Sequence, residues 1–466
     1  MKRTSGLQHT GLSFAKLVSV IILLAMGTGI LVLSEFIVQS LWDKVAVGNI
    51  PRVLPWYLLL LFLSFSFFDC FDFAAKRYHV ILYSCIFSII VSSVIVIILP
   101  VEMVGENVSK KIMLVSCVLM CIGSAVWLKI ARDIFFHYRK PSSTVLVTDK
   151  HKELWLTDKI NDSTRIFHVD STASPSDENI EEIISGYEAV AIGTMSADEK
   201  KKIIGLCASL EKTVLLRPEY TDIMLMTAQT EQFDDLMMIR AGAFGFTESE
   251  RAVKRIFDII LSAIGLVLIS PVMLVCIIAI LMDDGKNPFY LQERLTRGGK
   301  RYNVIKLRTM IYNAEEISGP VLAEENDPRI TKVGRVLRKM RLDEWPQIFN
   351  ILKVDMTIVG PRPERDFFYD KICSVIPEFR HRLSVKAGLT GMAQVYGRYS
   401  TDPYEKLMLD LTYIQNYSIL LDLKIMIETV RVVFEKDAAK GTSEESDVKK
   451  RASRPHKNDD GTEEKA

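Results

Sequence analysis

The stretch Ile256–Met282 reads IFDIILSAIGLVLISPVMLVCIIAILM, and how it meets a membrane decides the fold. It is long enough to cross, since a helix needs about 20 apolar residues to span a bilayer core. Both flanks are basic: Arg251, Lys254 and Arg255 precede it, and Lys286, Arg294, Arg297, Lys300 and Arg301 follow. Basic flanks stay on the cytoplasmic face, so positive charge at both ends resists a full crossing. Ser270-Pro271 falls at the middle, and proline removes a backbone donor and clashes with the preceding turn. The freed groups need partners inside lipid, and serine supplies one. The expectation is a re-entrant helix-break-helix, broken at Ser270 and Pro271, that dips into one leaflet and returns. An ordinary kinked fifth span is the alternative, and it carries everything downstream to the far side.

Upstream lie four further apolar runs, about Leu17–Phe36, Leu54–Phe73, Val80–Leu99 and Ile112–Ala131. The first is too long for a signal peptide, lacks its cleavage site, and is followed closely by three more. Lys2, Arg3, Lys16, Lys76, Arg77, Lys129, Arg132, Arg139 and Lys140 bias the ends toward an inside N-terminus. Four crossings then return the chain to the cytoplasm. Between about Ser143 and Ser249 the composition is that of a soluble protein. Strand-like runs at Thr144–Asp149, Arg165–Val169, Glu188–Ile192 and Thr213–Leu216 alternate with helical patterns such as Glu181–Ser185 and Ala197–Leu210. That alternation suggests a small Rossmann-like α/β unit with a parallel sheet. No GxGxxG follows the first strand, so nucleotide binding is not expected there; a structural, oligomerising or regulatory role is.

The expected organisation is a four-span transmembrane domain (1–140), a soluble α/β domain (141–250), an α/β catalytic domain with its re-entrant helix at 256–282 (251–436), and a charged disordered tail (437–466). The 466 residues carry a formal net charge of +1, which indicates no nucleic-acid partner. None of the seven cysteines forms a CxxC pair, and most lie in apolar runs where cysteine acts as a small hydrophobe.

Chemistry concentrates after Asp283. Lys306-Leu-Arg308 follows a probable strand, and Arg335, Arg338 and Lys339 share one face of a helical patch. Such a patch suits phosphates or anionic headgroups, or is a plain solvent face. Directly after it come Asp343 and Glu344 within LDEWPQ. Adjacent carboxylates raise each other's pKa unless cations or Mg²⁺ offset the repulsion, and a carboxylate is also a nucleophile toward phosphorus. Asp343 as a helix cap, with Pro346 in the first turn, is the structural alternative. Pro361 and Pro363 then fix the backbone on both sides of Arg362, and Gly388, Gly391 and Gly397 give a loop that ends at Arg398.

These motifs, in this order across about 180 residues, resemble the catalytic domain of the polyprenyl-phosphate hexose-1-phosphate transferases, the large membrane-domain branch of the monotopic phosphoglycosyl transferases. The resemblance implies that Asp343 attacks the sugar-bearing phosphate of a UDP-sugar, with Glu344 assisting and both carboxylates near Mg²⁺. It implies that Lys306, Arg308, Arg338 and Arg362 hold phosphates and that Arg398 lies near the nucleotide. The resemblance further implies undecaprenyl phosphate as acceptor and a product that starts an exopolysaccharide, capsule or O-antigen repeat unit at the cytoplasmic face of the bacterial inner membrane. Membrane lipid is the surrounding partner, and a homo-oligomer or contact with other polysaccharide-assembly proteins fits the layout. The implied donor is UDP-glucose or UDP-galactose, with a UDP-N-acetylhexosamine as alternative; a catalytically inactive scaffold is the reading from another class. Trp345, Ile348, Met392 and Tyr396 depart from the family's usual residues, the last two in the expected nucleotide-sugar loop.

Overall fold

The computed structural model describes residues 4–41, 50–71, 78–99, 109–138, 141–149, 154–163, 166–312, 314, 327–397 and 401–434. The chain divides into two compact units, Met1–Arg217 and Pro218–Ala466. Residues 218–250, grouped by sequence with the middle domain, cluster instead with the C-terminal unit. The cause is packing: Ile223 and Phe246 sit in one core with Leu407, Leu411 and Tyr413, and Tyr220 stacks on His381.

The first unit opens with α1 (Thr4–Leu41), α2 (Ile50–Phe67), α3 (Tyr78–Ile98) and α4 (Lys110–Tyr138). Each contains a window long and apolar enough to cross a membrane. Large apolar side chains such as Phe36, Ile98 and Leu114 point outward, while small polar ones meet inside. Ser64 and Ser92 hydroxyls lie 2.9 Å apart, and Ser88 Oγ donates across to the Ser64 carbonyl at 3.3 Å. Apolar outside with hydrogen-bonded serines between helices is the pattern of packing in lipid, and the chain is a membrane protein. After it, β1 (Ser142–Val147), β2 (Phe167–Ala173), β3 (Ala189–Ile192) and β4 (Thr213–Leu216) make a parallel sheet in the order β2-β1-β3-β4. The intervening helices are α5 (Leu154–Ser163), α6 (Ile180–Ser185) and α7 (Ala197–Ser209). Strand β3 is buried throughout, as an inner parallel strand covered on both faces must be.

The second unit begins with α8 (Tyr220–Leu225), the antiparallel hairpin β5 (Gln229–Phe233) and β6 (Leu236–Arg240), and the long helix α9 (Glu248–Asp284). Thr247 and Glu250 form a capping box at its start, and Gly285 at φ +69° ends it. The expected break at Ser270 and Pro271 is not there: α9 is helical throughout. The physical reason is local. Pro271 leaves the Val267 carbonyl without its N–H partner, and Ser270 Oγ donates to that same carbonyl at 3.0 Å.

One stripe of α9, comprising Lys254, Asp258, Ser262, Met273, Cys276 and Ile280, is buried at helical spacing. The opposite face is apolar and open, with Val267, Leu268 and Met282 each more than 70% exposed. The first half of α9 packs Gly265 against Ile348; the second half packs Cys276 and Ile280 against Leu307, Leu337 and Leu342. Both halves therefore rest on one body. The basic flanks are less free than the sequence suggested. Lys254 is buried against Asp422, and Arg255 donates to the carbonyls of Ile351 and Leu352.

That body contains the antiparallel hairpin β7 (Phe289–Leu295) and β8 (Arg301–Leu307), then α10 (Lys332–Lys339), a 3-10 turn (Leu342–Gln347) and α11 (Ile348–Leu352). Strand β9 (Thr357–Val359) pairs in parallel with β10 (Gly388–Thr390), with α12 (Asp366–Cys373) and a 3-10 turn (Pro377–Ser384) between them. Helices α13 (Met392–Tyr396), α14 (Pro403–Gln415) and α15 (Ile419–Phe434) close the unit. Their core joins Leu407, Leu411 and Ile425 to Val359, Val385 and Val395.

Candidate active site

Asp343 and Glu344 lie in the 3-10 turn, not at the start of an α-helix. Arg341, just before it, is in the left-handed region at φ +53°, so the chain turns sharply between α10 and the carboxylates. This conformation costs a non-glycine residue free energy and is typically held by surrounding structure at functional sites. Four cations from separate elements surround the pair. Lys306 comes from β8, Arg338 from the last turn of α10, Arg341 from the residue before the 3-10 turn and Arg362 from the loop after β9.

Glu344 is the engaged carboxylate. Arg362 donates to Oε1 at 3.2 Å and Arg341 to Oε2 at 3.4 Å, with the Glu344 side chain 15% exposed. Burial by itself raises its pKa, but Arg362, Lys306 and Arg341 outweigh burial and hold the carboxyl down at about 2. Asp343 goes the other way. Burial and the charge of Glu344 push its carboxyl up to about 6, against the pull of Lys306 and Arg338. Among the described residues it has no ion pair within 4 Å. Two neighbouring carboxylates thus have opposite characters, one neutralised and fixed, the other poised, as sites with two chemical roles require. Burial lowers the pKa of Lys306, which Glu344 partly restores. Arg338 is oriented by donating Nε–H to Thr309 Oγ1 at 2.8 Å.

The glycine loop has a role the sequence reading did not assign. A Cβ on Gly388 would stand 2.2 Å from the Gly360 nitrogen, and one on Gly391 would stand 2.1 Å from the Gly360 oxygen. These glycines permit close approach of protein backbone rather than of a ligand, and they clamp the turn that presents Arg362. Below that turn, Arg382 donates to the Arg362 carbonyl at 3.1 Å and to Asp410 Oδ2 at 2.7 Å. Met392 packs on the hydrophobic core, so of the two unusual loop residues only Tyr396 is exposed.

The structure therefore brings together Asp343, Glu344, Lys306, Arg338 and Arg362. Arg308 stands apart: it is 8% exposed, makes a bidentate pair with Asp284 at the end of α9, and donates to the Asn287 carbonyl. With its donors turned into that pair, it locks the exit of the long helix and does not join the carboxylates. Arg398 lies outside the described residues, as does the tail from 437. Arg382, Asp410 and Thr309 escaped the sequence reading, because their partners lie 20 to 29 residues away and no short motif marks them.

No cluster of three or more metal-ligating side chains occurs among the described residues. Mg²⁺ does not need one, since it binds through one or two carboxylates plus substrate phosphates and retained water. Asp343, with no cation in contact and its partner carboxylate beside it, fits that requirement.

The model of the family described as bacterial sugar transferase matches residues 249–436. A Bacillus subtilis putative undecaprenyl-phosphate N-acetylgalactosaminyl 1-phosphate transferase is 44% identical over 143 residues, covering 30% of this chain and 79% of that protein. A Caulobacter vibrioides UDP-glucose:undecaprenyl-phosphate glucose-1-phosphate transferase is 37% identical over 191 residues, covering 40% and 71%. The chain belongs to the bacterial sugar transferase family. An Aeromonas hydrophila UDP-N-acetylgalactosamine-undecaprenyl-phosphate N-acetylgalactosaminephosphotransferase is 38% identical over 184 residues, and that match spans only 43% of its length and 39% of this chain.

Proposed function

We propose that this chain transfers a hexose-1-phosphate from a UDP-sugar to undecaprenyl phosphate at the cytoplasmic face of the bacterial inner membrane. The observation that carries the reading is the poised Asp343 beside a Glu344 held by Arg362 and Arg341. An Asp343 carboxylate oxygen bonds to the β-phosphorus, and the bond from that phosphorus to the bridging oxygen breaks. UMP leaves with the electron pair, and the sugar phosphate stays on Asp343 as an acyl phosphate. An oxygen of undecaprenyl phosphate then attacks the same phosphorus, forming polyprenyl-diphosphate-sugar and returning the carboxylate.

Phosphoryl transfer asks mainly for positioning and charge neutralisation. Arg362 and Lys306 supply cations at the pair, and Arg338 is held ready by Thr309. Mg²⁺ bound through Asp343 and Glu344 would add neutralisation of the donor's diphosphate. The open apolar face of α9 suits immersion in one leaflet, with both halves of the helix kept against the catalytic body. The other four helices serve as a transmembrane domain and the parallel sheet as a Rossmann-like unit, and the product enters exopolysaccharide, capsule or O-antigen assembly.

Glucose or galactose is the proposed sugar. N-acetylgalactosamine is the second reading, favoured by the names of the Aeromonas and Bacillus relatives. The test is UMP release by purified full chain with undecaprenyl phosphate, Mg²⁺ and a panel of UDP-sugars. Release with one hexose donor supports the reading, release with the N-acetylated donor alone replaces the sugar, and no release with any refutes it.

A further inference from the structure

A second cluster of buried charge lies away from the carboxylate pair, where α9 meets β9, α14 and α15. Lys254 Nζ stands 2.5 Å from Asp422 Oδ2, with both side chains about one-twentieth exposed. The Tyr413 hydroxyl lies between Asp422 Oδ1, at 2.8 Å, and the carbonyl of Val359, at 3.0 Å. Asp258, one turn on from Lys254 and 5% exposed, accepts from Thr357 Oγ1 at 2.6 Å and from the Ile358 N–H at 3.1 Å. Every residue of β9 is thus held: Thr357 and Ile358 by Asp258, and Val359 through Tyr413.

Burying a carboxylate is costly unless it is hydrogen-bonded and paired. Asp258 has no cation in contact among the described residues, so it is an expensive way to fill space. What it supplies is charge-assisted hydrogen bonding, shorter and about twice as strong as the neutral kind. Those bonds act on a strand with a particular sequel. Gly360, Pro361, Arg362 and Pro363 follow β9 directly, and their prolines leave little backbone freedom to absorb a displacement. Arg362 is the cation that reaches Glu344 at 3.2 Å.

We infer that Asp258 is a positioning residue for the reaction: through Thr357 and Ile358 it fixes where β9 presents Arg362, so the membrane helix α9 sets the phosphate clamp as well as anchoring the protein. Lys254, Asp422 and Tyr413 hold the other end of the strand in the same way. The inference rests on the proposed role of Arg362 in phosphate binding.

The test uses the full chain in lipid nanodiscs with Asp258→Asn, Thr357→Val and Thr357→Ser. Amide exchange in peptides covering 357–365 is expected to rise in Asp258→Asn and Thr357→Val and to return toward wild type in Thr357→Ser, which restores the hydroxyl. KM for the UDP-sugar is expected to rise about tenfold or more in the first two, since small misplacements cost that much. In an Arg362→Gln background the same change at Asp258 should cost less than about twofold, because coupled residues are not additive. Unchanged exchange at 357–365 overturns the inference whatever the substrate, and so do losses that multiply in the double variant. If Asp258→Asn does not fold, the Thr357 pair decides alone. A wild type that releases UMP from no donor defeats the functional proposal, and the exchange result still decides the positioning.

Discussion

Replacing Asp343 by asparagine is expected to abolish UMP release and, at neutral pH, to make the protein more stable. The carboxyl is pushed from 3.8 up to about 6 by burial and by Glu344. A displacement of about two pH units, at about 1.36 kcal/mol each, means the ionised form strains the fold by roughly 3 kcal/mol. Asparagine has the shape of the protonated acid without the charge, so that is the ceiling of the gain. For a unit of this size each kcal/mol moves Tm by about 2–4 °C, which puts the shift at about 6–12 °C. The sign follows from linkage. A carboxyl whose folded pKa lies above its unfolded one binds its proton more tightly in the native state. Wild type therefore gains stability as pH falls through about 6, and the variant's advantage is full above that value and gone below about 3.8. The assay is thermal unfolding of the full chain in nanodiscs at pH 7.5 and pH 4.5, alongside UMP release. A variant no more stable than wild type at pH 7.5, or equally advantaged at both pH values, refutes the electrostatic reasoning. Retained turnover refutes the nucleophile.

Arg308→Ala is expected to lower stability by about 1 kcal/mol, by removing a pair whose Asp284 side faces solvent, while KM for the UDP-sugar stays put. A raised KM at unchanged Tm returns Arg308 to the phosphate site. Val354 sits at φ +72° and is half-exposed, so Val354→Gly is expected to stabilise by about 1 kcal/mol without touching activity, and a lower Tm counts against strain there. Arg362→Gln is expected to reduce kcat/KM about a hundredfold by removing a cation from both Glu344 and the donor diphosphate; a loss below about threefold removes Arg362 from the clamp.

Much of this was legible in local pattern. Four apolar runs of membrane length became four helices because in lipid only helices satisfy every backbone group within themselves. The alternating strands of the middle region emerged as a parallel sheet, β4 with the bounds expected from sequence. Asp343, Glu344, Lys306, Arg338 and Arg362 converge because their motifs sit at element ends that the fold gathers. Arg308 stands away from the carboxylates, which the sequence does not show because KxR looks the same whether the second cation faces substrate or a helix terminus. Only the contact with Asp284, 24 residues away, distinguishes the two.

Ile256–Met282 draws the same line. Its composition alone made it a membrane-seeking helix, since hydropathy and length need no partner. Its basic flanks and its proline looked equally decisive, yet both depended on what stood opposite them. Lys254 and Arg255 are consumed by Asp422 and by the carbonyls of α11, and Ser270 repairs the carbonyl that Pro271 abandons. Hydrophobicity is a property of the residues themselves and is read one position at a time. The behaviour of a charge or a broken hydrogen bond is set by its nearest partner, and only the tertiary structure chooses that partner.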